Sequence, residues 1–307
     1  MPTLVVVGSL NMDFVVTVEH LPAPGQTVLG GDFQMIPGGK GANQAFAAAR
    51  LSAGGVAVRM IGRVGHDSFA DHLKASLAAA GVDVSSVHAS ARHPTGVALI
   101  WVDRQGQNSI VVVPGANRAL DAAGVEAMRP VFRGASHALF QLETPLDTVG
   151  AALALARKEE LVTILDPAPA QPLNRELLER VDILTPNENE AQLMLGRAPA
   201  RIPSEAAPQM MEALLRLGPR AVILKLGERG CLYYDGGEIF RQPAFSVEAR
   251  DTTAAGDTFN AALAVALVEG RAMQAALRFA CAAAAISVTR MGAQSSIPTR
   301  AEVDAML

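Results

Sequence analysis

Five short apolar runs constrain this chain most: TLVVVG (3–8), HALFQLE (137–143), LVTILD (161–166), VDILT (181–185) and AVILKL (221–226). Each is rich in β-branched and apolar residues, which predicts strands buried on both faces. Helical patterns at 145–159, 174–180 and 204–217 lie between several of them. That alternation builds βαβ units. The expected fold class is α/β: a mostly parallel central sheet between two helical layers, a three-layer sandwich. Ligands in such a sheet bind beyond the carboxyl ends of the strands.

Two stretches break the rhythm. Residues 14–36 alternate short β runs with Pro and Gly, and residues 95–113 read as a hairpin turning at Arg104–Asn108. Together they predict a small β sheet beside the main one, used as a lid over a cleft, as a dimerisation surface, or as both. YYDGGEIF (233–240) is a further hairpin with Asp-Gly-Gly as its turn. We read residues 1–307 as one domain with a discontinuous lid from about 14–36 and 95–113.

Composition narrows the function. Half the residues are apolar, 18% are charged and the net charge is −4. Lys and Arg are scattered, so neither a nucleic-acid face nor a polybasic membrane patch is expected. The N-terminal segment lacks the pattern of a signal peptide, and the Ala-rich runs are too short to span a bilayer. Cys231 and Cys281 are too few and too isolated for a disulfide framework or a zinc site. The expected location is the cytoplasm.

Six segments carry polar residues suited to chemistry. GSLNMD (8–13) ends the first strand. Its Asn11 and Asp13 suit vicinal hydroxyls or an Asx turn. PGGKGANQA (37–45) is a Gly-rich turn with Lys40 at its centre and Asn43 opening a helical run, Gln44–Leu51. It lacks the P-loop spacing. In QLETP (141–145), Glu143 either meets a hydroxylated ligand or caps the helix starting at Pro145. In TPNENE (185–190), Asn187 and Glu190 have capping-box spacing, which leaves room for water-mediated Mg²⁺ or phosphate contacts. KLGERG (225–230) places Gly227 and Gly230 at a turn where a nucleotide can lie on backbone, or where a plain hairpin turns. DTTAAGDTFN (251–260) runs into a helix starting near Ala255 or Gly256. Its free N–H groups form an anion site, with Asp257 in the first turn as a proton acceptor or an ordinary first-turn acid. The sequence GSLNMD excludes the dinucleotide-binding G-x-G-x-x-G turn.

Together these segments resemble the PfkB carbohydrate kinase family over nearly the whole chain. GGKGANQA is similar to its N-terminal signature and DTTAAGDTFNAAL to its C-terminal one. The resemblance implies ATP-dependent phosphorylation of D-ribose at its 5-hydroxyl, with another sugar or a nucleoside as the alternative substrate. A silent sugar-binding protein on the same fold is a remoter alternative. It implies sugar contacts from Asn11, Asp13, Gly39, Lys40, Asn43, Glu143 and Asp257. It implies nucleotide contacts from Asn187, Lys225, Gly227, Gly230, Gly256 and Cys281. Asp257 is the implied base and the Ala255–Gly256 backbone the implied anion hole. Glu190 is the implied Mg²⁺ position, through water. A K⁺ loop is implied from Asp251 and Thr253 with Ser287, Arg290, Gly292 and Ser296, partly through carbonyls. Lys225 and Cys281 depart from the family pattern, where threonine and then histidine or asparagine are expected; this bears on how the phosphate donor is held. The lid strands imply a homodimer, since paired lids cover exposed edges.

Overall fold

The computed structural model describes residues 1–307. In chain order its strands are β1 (Thr3–Val7), β2 (Asn11–Val18), β3 (Gly30–Gly38), β4 (Ala57–Val64), β5 (Val82–Ala89), β6 (Gly96–Val102) and β7 (Asn108–Val113). These are followed by β8 (His137–Phe140), β9 (Val162–Leu165), β10 (Ile183–Leu184), β11 (Ala221–Lys225), β12 (Cys231–Tyr234) and β13 (Phe240–Gln242). The helices are α1 (Lys40–Ser52), α2 (Ser68–Ala79), α3 (Ala122–Ala127), α4 (Arg129–Phe132), α5 (Leu146–Lys158) and α6 (Arg175–Leu178). Five more complete the set: α7 (Glu188–Met194), α8 (Ala207–Leu215), α9 (Ala255–Val268), α10 (Met273–Ser287) and α11 (Arg300–Met306).

Nine strands form one sheet in the order β13-β12-β11-β10-β9-β8-β1-β4-β5. All neighbours are parallel except β11-β12 and β12-β13. The five apolar runs are the central strands β1, β8, β9, β10 and β11, as the sequence requires. Alternate residues of β1 enter different layers. Leu4 and Val6 pack with α1, α9 and α10, while Val5 and Val7 pack with α3 and α5. Each such side chain, fully removed from water, contributes roughly 1.5–3 kcal/mol.

The strands β4 and β5 and helix α2 add an edge that the apolar runs did not reveal. Arg59 and Arg63 interrupt the β4 run, because an edge-proximal strand tolerates polar residues; Arg59 Nη1 donates to the Val131 carbonyl at 2.8 Å. Strand order reverses at β1, which pairs with β4 on one side and β8 on the other. Ligand crevices form at such switch points.

A second sheet has the order β3-β2-β6-β7, built from the two predicted excursions. Its β6-β7 hairpin turns between Val102 and Asn108. Asn11 and Asp13 lie on one face of β2, in register with Gly38 and Ile36 of β3. Phe14 points the other way, stacked on Phe33 and edge-on to Phe69 of α2. Beyond that contact the sheet is open: Phe33, Met35, Ile110, Val111, Val112 and Val113 are all exposed.

Candidate active site

Four of the polar segments follow the carboxyl ends of parallel strands, while GGKGAN enters from β3 of the smaller sheet and DTTAAGD from the loop after β13. The end of β1 delivers Ser9 and Asn11, β8 delivers Gln141 and Glu143, and β9 delivers Asp166. Strand β10 delivers Asn187 and β11 delivers Lys225.

Helix α1 starts at Lys40, three residues before the expected Asn43. Small residues hide the extra turn from apolar periodicity. Its first donors are all taken by protein. Lys40 N–H donates to Glu143 Oε2 at 3.1 Å, Gly41 N–H to Ser9 Oγ at 3.4 Å and Ala42 N–H to the Ser9 carbonyl at 2.9 Å. Ser9 Oγ in turn donates to Glu143 at 2.5 Å. Glu143 therefore caps α1 rather than α5, which begins behind Pro145 with no side-chain cap. Gly39 has φ 89°, where L side chains are strained. A Cβ on Gly41 would stand 2.6 Å from the Gly8 carbonyl carbon, so only glycine lets α1 reach the β1 turn.

Helix α9 starts differently. Ala254 precedes it at φ 57°, a left-handed conformation rare for a side chain with Cβ. The N–H groups of Gly256 and Asp257 have no acceptor in the protein. They face the cleft as an anion site, at the positive end of the helix dipole. Asp257 is 5% exposed. Its Oδ2 accepts from Asn43 Nδ2 at 3.1 Å and its Oδ1 from Gln44 Nε2 at 3.0 Å. Burial pushes its pKa to about 6; Lys40 opposes this, Asp166 adds to it, and the Gln44 and Asn43 hydrogen bonds oppose it.

Asp13 belongs to the same charge cluster. Its pKa is pushed to about 7, first by burial and then by Glu143 and Asp257. Burial pulls the Lys40 ammonium down, but Asp257, Asp166, Glu143 and Glu190 outweigh it and hold Lys40 above the ordinary lysine range. Asn11 Oδ1 accepts from Asn117 Nδ2 at 2.8 Å, and Asn117 also ties the Leu10 backbone. Clustered carboxylates and amides of this kind suit a polyhydroxylated ligand.

On the other side of Asp257 lies a cleft of about 650 Å³. Asn187, Glu190, Lys225, Gly227, Gly230, Gly256 and Cys281 all line it, so the nucleotide-side residues expected from sequence come together; Ala255 and Asp257 of the expected catalytic centre and Lys40, expected on the sugar, line it too. Asn187 caps α7 and forms a reciprocal capping box with Glu190. Each Glu190 oxygen accepts once from Asn187, at 2.8 Å, leaving lone pairs toward the cleft. Burial raises the Glu190 pKa; Lys225 lowers it and Asp166 raises it. Cys231 and Cys281, isolated in sequence, are neighbours in space: both are buried free thiols with sulfurs 3.8 Å apart.

The 251–253 and 287–296 segments also meet. Asp251 Oδ1 accepts from Thr253 N–H at 2.9 Å and Oδ2 from Gly292 N–H at 2.8 Å. The Val288 carbonyl accepts from the N–H groups of Arg250 and Asp251. The side chains of Ser287 and Ser296 donate to the carbonyls of Ala284 and Ala293, and Arg290 pairs with Glu302. The side chains at those three positions are thus engaged within the protein.

Four site residues escaped the sequence reading: Ser9, Gln44, Asn117 and Asp166. Gln44 is fully buried and joins two carboxylates, Asp166 Oδ2 and Asp257 Oδ1, each at 3.0 Å. The signals were an acid at the end of LVTILD and a second amide, next to Asn43, at the start of an Ala-rich helix.

Comparison with known proteins identifies the family. A family model of pfkB family carbohydrate kinases matches residues 1–300. A ribokinase of Haemophilus influenzae is 42% identical over 300 residues, covering 98% of this chain and 96% of that protein. A ribokinase of Bacillus subtilis is 42% identical over 308 residues, covering 100% of both. The solved structure of Arabidopsis thaliana ribokinase complexed with ribose and ATP superposes with a TM-score of 0.92 at 36% identity, covering 99% of this chain and 98% of that one. The chain belongs to the pfkB family of carbohydrate kinases.

Proposed function

We infer that this enzyme transfers the γ-phosphoryl group of ATP to the 5-hydroxyl of D-ribose. The observation that carries this reading is the buried Asp257 carboxylate, set in the first turn of α9 between the sugar-facing polar cluster and the large cleft. Asn11 and Asp13 hold ribose hydroxyls from β2, and Gly39, Lys40, Asn43 and Glu143 close on the sugar from α1 and β8. Asn187, the Lys225–Gly230 turn and Cys281 line the nucleotide side.

The step is an in-line displacement. The ribose O5 lone pair forms the new O–P bond while the bond from Pγ to the bridging oxygen breaks, and its electron pair leaves with ADP. The O5 proton passes to an Asp257 oxygen. A base with pKa near 6 is ionised at neutral pH and still a competent proton acceptor. The free N–H groups of Gly256 and Asp257 stabilise the charge on the transferring oxygens.

The Glu190 carboxylate, which lines the cleft with lone pairs to spare, fits a divalent cation held through water. Bound there, Mg²⁺ neutralises phosphate charge. The 251–253 and 287–296 segments fit a K⁺ site made largely of carbonyls, whose role is to order the turn ahead of α9.

The smaller sheet acts as a lid that excludes water during transfer. Its exposed apolar residues support a homodimer through that sheet. No helix is long and apolar enough to cross a membrane. ADP release over a panel of pentoses, hexoses and nucleosides, with and without K⁺, tests the assignment. Ribose is expected to give the highest kcat/KM, with activity lower in Na⁺; preference for a nucleoside contradicts it.

A further inference from the structure

Lys225 has a role that its place in a nucleotide-lining turn does not explain. Its backbone N–H donates to the Pro186 carbonyl at 2.8 Å, pinning the end of β11 beside Asn187. Its side chain is 13% exposed, and Nζ lies 3.1 Å from Oδ1 of Asp166, which is 2% exposed. Asp166 Oδ2 accepts from Gln44 Nε2, which also donates to the base Asp257. Gln44 Oε1 accepts from Gln141 Nε2 at 2.6 Å, which fixes the direction of the Gln44 side-chain amide. Lys225, Asp166, Gln44 and Asp257 thus form one buried chain from the nucleotide cleft to the base.

A buried ion pair is a poor device for stability, because desolvation offsets its Coulomb energy. The position of the ammonium supplies another reason for it. An ammonium has three N–H donors, and Asp166 is the protein acceptor for one of them. Nζ stands 3.6 Å from where a Cβ on Gly256 would be, over the α9 first turn with its unpaired N–H groups. Glu190 lines the same cleft.

We propose that Lys225 is a phosphoryl-binding residue, donating to a γ-phosphate oxygen during transfer, and that Asp166 is the positioning residue that aims it. The proposal rests on the kinase reading above. Lys225 keeps its proton throughout; it stabilises charge and takes no part in bond exchange. Asp166 fixes the ammonium through Oδ1, while its Oδ2 contact with Gln44 is one that an amide oxygen accepts equally well.

The test combines nucleotide binding with turnover in Lys225→Met, Asp166→Asn and the double variant. Lys225→Met is expected to weaken β,γ-methylene-ATP more than about tenfold and lower kcat about 100-fold. ADP affinity and ribose affinity without nucleotide stay within about threefold of the parent. Asp166→Asn alone lowers kcat about tenfold, and the double variant loses no more than Lys225→Met, since Asp166 acts through Lys225. Equal weakening of ADP and the methylene analogue, or parental affinity for both, overturns the γ-phosphate assignment. Additive losses overturn the positioning role. If either single variant fails to fold because one buried charge is left unpaired, the double variant removes both charges and carries the same binding comparison. The binding arm needs no turnover, so it judges Lys225 separately from the sugar panel, which judges the kinase reading.

Discussion

Helices α1 and α9 begin within reach of each other, joined by the Asn43–Asp257 hydrogen bond of 3.1 Å, yet the donors of their first turns have opposite fates. Those of α1 are consumed by Ser9 and Glu143, and Gly41 lets the helix press onto the β1 turn. Those of α9 at Gly256 and Asp257 stay free. Both helices start at a small-residue turn beside a charged side chain. The difference is tertiary: a carboxylate from β8 reaches one start, and nothing protein-made fills the other. An N-terminus left open beside a buried carboxylate is a site for a transferring anion, whereas a filled one is scaffold.

The largest effect should come from removing the acid at the open start. Asp257→Asn keeps the Gln44 and Asn43 neighbours but removes the proton acceptor, so kcat is expected to fall about 10³-fold. Ribose and ATP affinities, read by calorimetry, should stay within about threefold. Loss of both affinities in parallel with kcat would make Asp257 structural and erase the contrast between the two starts.

At the filled start the expected losses are smaller and of another kind. Glu143→Ala leaves the Lys40 N–H and Ser9 hydroxyl without their acceptor, at a cost of about 1–3 kcal/mol. A lower midpoint in thermal unfolding, with ribose affinity weakened about tenfold, is the expected pair of readings. Unchanged stability would mean that water caps α1 as well as Glu143 does.

The smallest effect is the pH dependence of stability. Asp13 and Asp257 titrate near 7 and 6 in the folded chain, against an ordinary value of 3.8, so between those values the folded state holds more protons. Stability is therefore full at the acidic end of that window and falls as pH rises through it. His137, pulled down to about 4 by burial, works the other way below its ordinary value of 6.5 but covers a shorter span than the two acids together. The unfolding midpoint should decline from pH 5 to 8, and Asp13→Asn should flatten that decline. A midpoint that rises over the same range contradicts the buried-acid cluster. The same titrations place the acid limb of kcat/KM between about pH 6 and 7.

The sequence showed the open start more readily than the chain behind it. The central strands, the two hairpins of the smaller sheet and the start of α9 are local patterns, written in runs of a few residues. The start of α1 was misplaced because Gly41 and Ala42 carry no apolar periodicity, and because its cap comes from Glu143, far along the chain. Gln44 and Asp166 look like an ordinary helix amide and an Asp-Pro turn until β9 and α1 are folded together. Cys231 and Cys281 become neighbours only where β12 meets α10. Each missed feature is a contact between elements distant in sequence.

The same substitution at the two helix starts tests the central distinction most directly. Gly41→Ala sets a Cβ 2.6 Å from the Gly8 backbone, whereas the nearest atom to a Cβ on Gly256 is Lys225 Nζ at 3.6 Å, an ordinary contact. Melting and turnover per folded molecule are measured on both variants. Gly41→Ala should lose about 1–3 kcal/mol of stability through overpacking. Gly256→Ala should melt at or above the parent, since alanine favours the helix, while kcat falls about 10–100-fold because the methyl group crowds the anion site. A Gly256→Ala protein that melts early yet turns over normally would contradict the account.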